Sequence, residues 1–117
     1  MKLYHGTASY NLESFTRSGP QVSARHYIGR GSKRAFCTTI SFDVASVFAF
    51  RKTPIQDMTQ VGIVLEFDGS KLSKGDFLKC KDPIAMHDEK EVSIFKPEKI
   101  KLVAYWKFEN NWQRIKL

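Results

Sequence analysis

A chain of 117 residues and 13.5 kDa has room for one domain, residues 1–117, with a single core. Hydrophobic residues make up 42% and charged residues 26%, which excludes wholesale disorder, and 19 Lys+Arg against 12 Asp+Glu leave a net charge of +7. No apolar run approaches the roughly 20 residues of a membrane-spanning helix, and the composition also argues against a coiled coil, a secreted disulfide scaffold and a multidomain enzyme.

Lys2 to His5 is rich in aromatic and aliphatic residues and reads as a short strand stopped by Gly6. Ser9 is a candidate N-cap for a helix through Phe15, with Leu12 and Phe15 on one face, and Gly19-Pro20 ends it. Residues 20 to 34 lack periodicity and read as a long, basic, Gly-containing loop, the kind that is usually functional in a small domain. Ala35 to Ile40 reads as a strand. Ser41 then caps a helix, FDVASVFAFR, whose Asp43 suits the positive end of the dipole. Val44, Val47 and Phe48 recur at helical spacing, as do Ala45, Phe48 and Ala49, so this helix is expected to pack on a sheet. Val61 to Phe67 reads as a buried strand turned by Asp68-Gly69. A loop-like region follows, with a short strand at Phe77 to Lys81. Glu91 to Phe95 alternates as a strand interrupted by Pro97. Ile100 to Phe108 and Trp112 to Leu117 read as strands joined at Asn110-Asn111, with Trp106 and Trp112 packing that hairpin. Strands dominate, and the expected class is α+β with a largely antiparallel sheet.

The opening MKLYHGTASYN lacks the apolar segment of a signal peptide, and Cys37 and Cys80 are expected to be two buried free thiols, with a single disulfide as the alternative, so a cytoplasmic location is expected. Two cysteines and three dispersed histidines (His5, His26, His87) show no paired ligand spacing, so no metal is expected. The positive charge suits an acidic partner as well as simple solubility.

Three segments stand out together: Tyr4-His5-Gly6-Thr7 at the end of the first strand, Arg34 to Thr39 with the helix after it, and Glu91-Val92-Ser93-Ile94-Phe95-Lys96-Pro97-Glu98-Lys99-Ile100. In this order they resemble the ADP-ribosyltransferase superfamily, specifically its diphtheria-toxin and poly-ADP-ribose-polymerase branch. The resemblance spans most of the chain on about a dozen motif residues. It implies a split, mostly antiparallel sheet with one or two short helices. It also implies NAD as substrate and a monomeric mono-ADP-ribosyltransferase. Such an enzyme would release nicotinamide and modify a host macromolecule, protein or nucleic acid; the small stand-alone size suggests a bacterial or phage effector in the cytoplasm, and the +7 charge favours an acidic acceptor. The same fold leaves open an inactive NAD- or nucleic-acid-binding member and an RNA 2′-phosphotransferase-like enzyme.

The resemblance also assigns roles. Glu91 would stabilise the oxocarbenium-like ribose left when nicotinamide departs, and His5 would hydrogen-bond the ribose. Gly6 would allow close backbone approach to the nicotinamide amide, beside Thr7. Phe36 would stack on the nicotinamide ring, in a position where the family usually has Tyr. Phe48, or Val47 one position away, would form a second wall. Arg25, Arg30 and Arg34, in the basic stretch with Lys33, would reach the pyrophosphate from a lid hinged at Gly29 and Gly31.

Overall fold

The strand that runs Gly62–Asp68 shows how the sequence lays out the sheet. Ile63, Leu65 and Phe67 point to one face and Val64 to the other, and all four are buried. A run apolar on both faces, broken only by the buried Glu66, is what a strand covered on both sides requires. The computed structural model describes residues 1–22, 24–27, 32–53, 61–79 and 90–117, with the backbone alone for 24–27 and 32–33.

In chain order the elements are β1 (Lys2–Ala8), a 3₁₀ turn (Ser9–Asn11), α1 (Leu12–Ser18), β2 (Ala24–Tyr27), β3 (Ser32–Thr39), α2 (Phe42–Lys52), β4 (Gly62–Asp68), β5 (Phe77–Lys79), β6 (Glu91–Ile94), a 3₁₀ turn (Pro97–Lys99), β7 (Lys101–Glu109) and β8 (Asn111–Lys116). The sheet order is β5-β6-β3-β1-β4-β7-β8, with β2 paired onto β3, and every pairing is antiparallel. The class is α+β, with two short helices on opposite faces of the sheet. Leu12 and Phe15 from the α1 side pack on a core of Leu3, Phe36, Leu65, Phe67, Ile94 and their neighbours. On the other face α2 places Ala45 and Ala49 against Val64, flanked by Tyr4, Phe42, Trp106 and Trp112. Each large core side chain contributes roughly 1.5–3 kcal/mol by leaving water.

The local chemistry explains most boundaries. Ser41 is extended at the start of α2 and its Oγ accepts the Val44 N–H at 3.3 Å, as its type predicts. Asn110 takes a φ of 62° in the β7–β8 turn, a conformation that asparagine tolerates well. The start of α1 differs from expectation. Ser9 does not cap it; its Oγ accepts the Val61 N–H at 3.2 Å, and the 3₁₀ turn delays the helix to Leu12. The reading of 20–34 as a loop is also corrected. Ala24 pairs with Ala35 and Tyr27 with Ser32, so β2 and β3 form a ribbon. A two-stranded ribbon has no obligatory apolar face, so its backbone can be satisfied without the alternation that marks a strand in sequence. On α2, Val47 is 48% exposed while Ala45 and Ala49 are fully buried, so the apolar face turns about the alanines.

Two strands in the middle of the sheet barely touch. β1 pairs with β4 at seven successive positions, from Lys2↔Asp68 to Ala8↔Gly62. Its partnership with β3 is registered only at Tyr4↔Thr39. From that point β1 and β3 separate, and the gap between them lies beneath α2.

Candidate active site

The side chain that enters this gap is His5, one residue past the last β1–β3 pair. Its Nδ1 lies 2.7 Å from the Cys37 carbonyl, so the imidazole takes up a β3 backbone group that strand pairing leaves unused. A carbonyl only accepts, so Nδ1 carries the proton and donates it. Burial pushes the imidazole pKa down from 6.5 to about 4, and the nearby Lys52 ammonium acts in the same direction. At neutral pH the ring is therefore uncharged, and Nε2 presents a lone pair. Phe36 stacks on this ring with centroids 4.6 Å apart and a tilt of 34°, fixing its plane.

A cleft of about 180 Å³ opens beside His5, bounded by β1 at Tyr4 to Gly6, β3 at Cys37 to Thr39, α2 at Val44, Ala45, Phe48 and Lys52, and Glu91. Drug-sized ligands occupy roughly 300–1,000 Å³. This cleft therefore takes one substituted ring and not a whole dinucleotide. A second, more open hollow of about 440 Å³ continues past His5, where Thr7, Asn11, Phe15 and Phe36 line it. His5, Cys37 and Lys52 border both spaces, so they form the sill between them.

Glu91 reaches the cleft because β6 begins there, opposite Thr39 in register, and its carboxylate is half-buried. The Cys37 thiol is pushed up from 9.0 to about 11, first by burial and then by the negative field of Glu91. The thiol stays protonated and is no nucleophile at neutral pH. Lys52 ends α2 and folds back, donating from Nζ to the Gly6 carbonyl at 3.0 Å, with its ammonium 5.9 Å from the centre of the Phe48 ring. Burial lowers its pKa, partly offset by Cys37.

Gly6 has a packing reason of its own. A Cβ there would overlap the Ala45 carbonyl and the Ala49 amide, so α2 can seat on β1 only over a glycine. The close fit of that helix is what closes the roof of the cleft.

Of the residues expected from sequence, His5, Gly6, Phe48 and Glu91 come together in the ring-sized cleft. Phe48 and not Val47 faces it. Phe36 and Thr7 lie on the other side of the sill: Phe36 is 4% exposed and packs against Phe15 and Phe67, and Thr7 Oγ1 accepts from Asn11 Nδ2 at 2.8 Å. Arg34 is exposed on β3, opposite Arg25 in the β2–β3 register, and borders neither space. The side chain of Arg25, all of Arg30, and Gly29, Gly31, Cys80 and His87 lie outside the described residues. No group of three or more metal-ligating side chains occurs among the described residues, and no helix there is long and apolar enough to cross a membrane. Lys52 was missed by sequence reasoning. A terminal helix lysine reads as solvated, and the signal available was its i,i+4 relation to Phe48, which puts both on one face of α2.

Comparison with known proteins finds no matching family model, no matching curated protein and no matching solved structure.

Proposed function

We propose that this protein is an NAD-dependent mono-ADP-ribosyltransferase that cleaves the bond between nicotinamide and ribose and transfers ADP-ribose to a macromolecule. The observation that carries this reading is the convergence of His5, Gly6, Phe48 and Glu91, from separate segments of the chain, on one ring-sized cleft at the split between β1 and β3.

The residues suit the chemistry. The apolar side of the cleft, Val44, Ala45 and Phe48, favours a flat heteroaromatic ring over water. Neutral His5, with its proton committed to the Cys37 carbonyl, offers Nε2 as an acceptor for a ribose hydroxyl. The glycosidic C–N bond breaks with its electron pair leaving on the pyridine nitrogen, so nicotinamide departs neutral and needs no general acid. The ribose is left with oxocarbenium character, which the fixed Glu91 carboxylate stabilises. An acceptor nucleophile then attacks the anomeric carbon and gives up its proton to Glu91 or to water. Cys37, held as the thiol, and His5, with a pKa near 4, take no part in proton transfer at neutral pH. The +7 charge favours an acidic acceptor, whether a protein surface or a nucleic acid.

The test is incubation of the protein and its Glu91→Ala variant with labelled NAD and cell lysate, followed by separate protease and nuclease treatment. Label from wild type alone is the expected result, and the treatment that removes it gives the acceptor class. NAD binding with neither label nor nicotinamide release would replace this reading with a binding-only member of the same fold. Absence of NAD binding would end it.

A further inference from the structure

Lys52 occupies a position that the proposed chemistry does not explain. Lys52 is exposed as a residue, yet its Nζ is held at the sill by the Gly6 carbonyl and borders both the ring-sized cleft and the larger hollow. Its partners are neutral: the Gly6 carbonyl and the Phe48 ring. Among the described residues no carboxylate pairs with it. Other described cations that reach inward do have counter-charges: Lys99 meets the buried Asp76 at 2.8 Å and Arg114 meets the buried Glu66 at 2.7 Å. Partial screening of this Nζ from water lowers its pKa, so the charged form gains if an anion comes beside it. A free lysine side chain at a helix end can turn into solvent at no steric penalty. Holding this one over the sill is therefore useful if an anion arrives there.

The shape of the two spaces identifies the anion. One space takes a single ring and the other, more than twice its size, takes a larger group, so a ligand filling both must cross the sill by a linker. Resting on the NAD reading above, we infer that Lys52 is the anion-binding group of the site and pairs with the diphosphate bridge of the dinucleotide. The ammonium exchanges its hydrogen bond with the Gly6 carbonyl for charge-assisted bonds to phosphate oxygens. That exchange returns the Gly6 carbonyl to the ring-sized cleft when substrate enters. Ligand entry and release of the carbonyl are then one event.

The inference is tested by calorimetric binding of ADP-ribose, inorganic pyrophosphate and nicotinamide to wild type, Lys52→Met and Lys52→Arg. Wild type should bind ADP-ribose and pyrophosphate, and Lys52→Met should lose about tenfold to a hundredfold in affinity for both. Nicotinamide affinity should hold or rise in Lys52→Met, and Lys52→Arg should recover most of the phosphate-dependent binding. The melting temperature of Lys52→Met without ligand should not fall, since no described carboxylate pairs with the charge that is removed; this separates lost binding from lost folding. ADP-ribose binding by Lys52→Met within twofold of wild type would overturn the inference, as would no binding of ADP-ribose or pyrophosphate to wild type. Lys52-dependent pyrophosphate binding with no response to ADP-ribose or nicotinamide would keep the anion site and overturn the NAD reading instead.

Discussion

Glu66 and His5 lie on neighbouring strands, one residue apart in register, yet the protein treats their charges in opposite ways. Tyr4 is directly across from Glu66 on β4, and His5 is the next residue of β1. On the α2 face, the Glu66 carboxylate is 1% exposed and accepts from Arg114 Nε at 3.1 Å, Arg114 Nη2 at 2.7 Å and Trp106 Nε1 at 3.1 Å. The hydrogen bonds from Arg114 hold its pKa below the usual carboxylate value, so the charged form is the favoured one. Around His5 each shift opposes charge: the imidazole is kept neutral, the Cys37 thiol is kept protonated, and the Lys52 ammonium is weakened. The first cluster is satisfied within the fold and anchors the β7–β8 hairpin to the sheet. The second holds its groups in or toward their uncharged forms beside a cleft, the pattern in which perturbed titratable groups mark a functional site.

Substitutions should separate these two kinds of polar cluster. The largest effect is expected from Glu91→Ala, which should lower nicotinamide release by about 10²–10³-fold or more while leaving the melting temperature near wild type. Steady-state release of nicotinamide together with a thermal melt reads both. Gly6→Ala comes next: its methyl would meet the α2 backbone, so urea denaturation should show a loss of about 3 kcal/mol. Glu66→Ala should behave in the converse way to Glu91→Ala. It should cost about 2–3 kcal/mol of stability, by removing hydrogen bonds to a charged acceptor and leaving the Trp106 N–H without one, with nicotinamide release per folded molecule unchanged.

Acid should resolve the two clusters by pH. His5 has a folded pKa of about 4 against 6.5 unfolded, so between these values the unfolded chain binds more protons. The stability tied to neutral His5 is complete above pH 6.5 and is lost as pH falls toward 4, by about 3 kcal/mol in all. Glu66 has a pKa depressed from 4.5, so its contribution is complete above about pH 4.5, through most of that window, and is lost as pH falls below it toward the folded value. Urea denaturation of wild type and His5→Asn across pH 4 to 7 checks this, and the variant should lose the slope above pH 4.5. The smallest effect belongs to Ser41→Ala, which removes the N-cap of α2 and should cost about 1 kcal/mol in the same assay.

Much of this architecture is legible in the sequence, for reasons that are local. Ser41 announces α2, the run from Ile63 to Phe67 announces a strand covered on both faces, and Asn110 announces the last turn. The β2–β3 ribbon is not legible, because residues 24–34 carry no apolar alternation in the sequence. The same logic divides the site. His5, Gly6 and Glu91 stand out as a pattern of residue types, although β1 runs on through Gly6 to Ala8 where the sequence suggested a stop, and only Glu91 stands at a strand end. Glu66 draws no notice in the sequence although a carboxylate in VGIVLEF requires a partner, because Arg114 lies far along the chain. The close seating of α2 on Gly6, which puts Lys52 at the sill, depends on helix–sheet packing that no spacing encodes.

The central claim is that His5 is a neutral acceptor in a site built for NAD. The direct measurement is the ¹⁵N spectrum of its imidazole, assigned with the His5→Asn variant and followed from pH 8 to 4.5 with and without NAD. The account predicts a neutral ring protonated at Nδ1 throughout that range and an Nε2 resonance that moves when NAD is added. A ring that titrates near pH 6.5 and does not respond to NAD would contradict it.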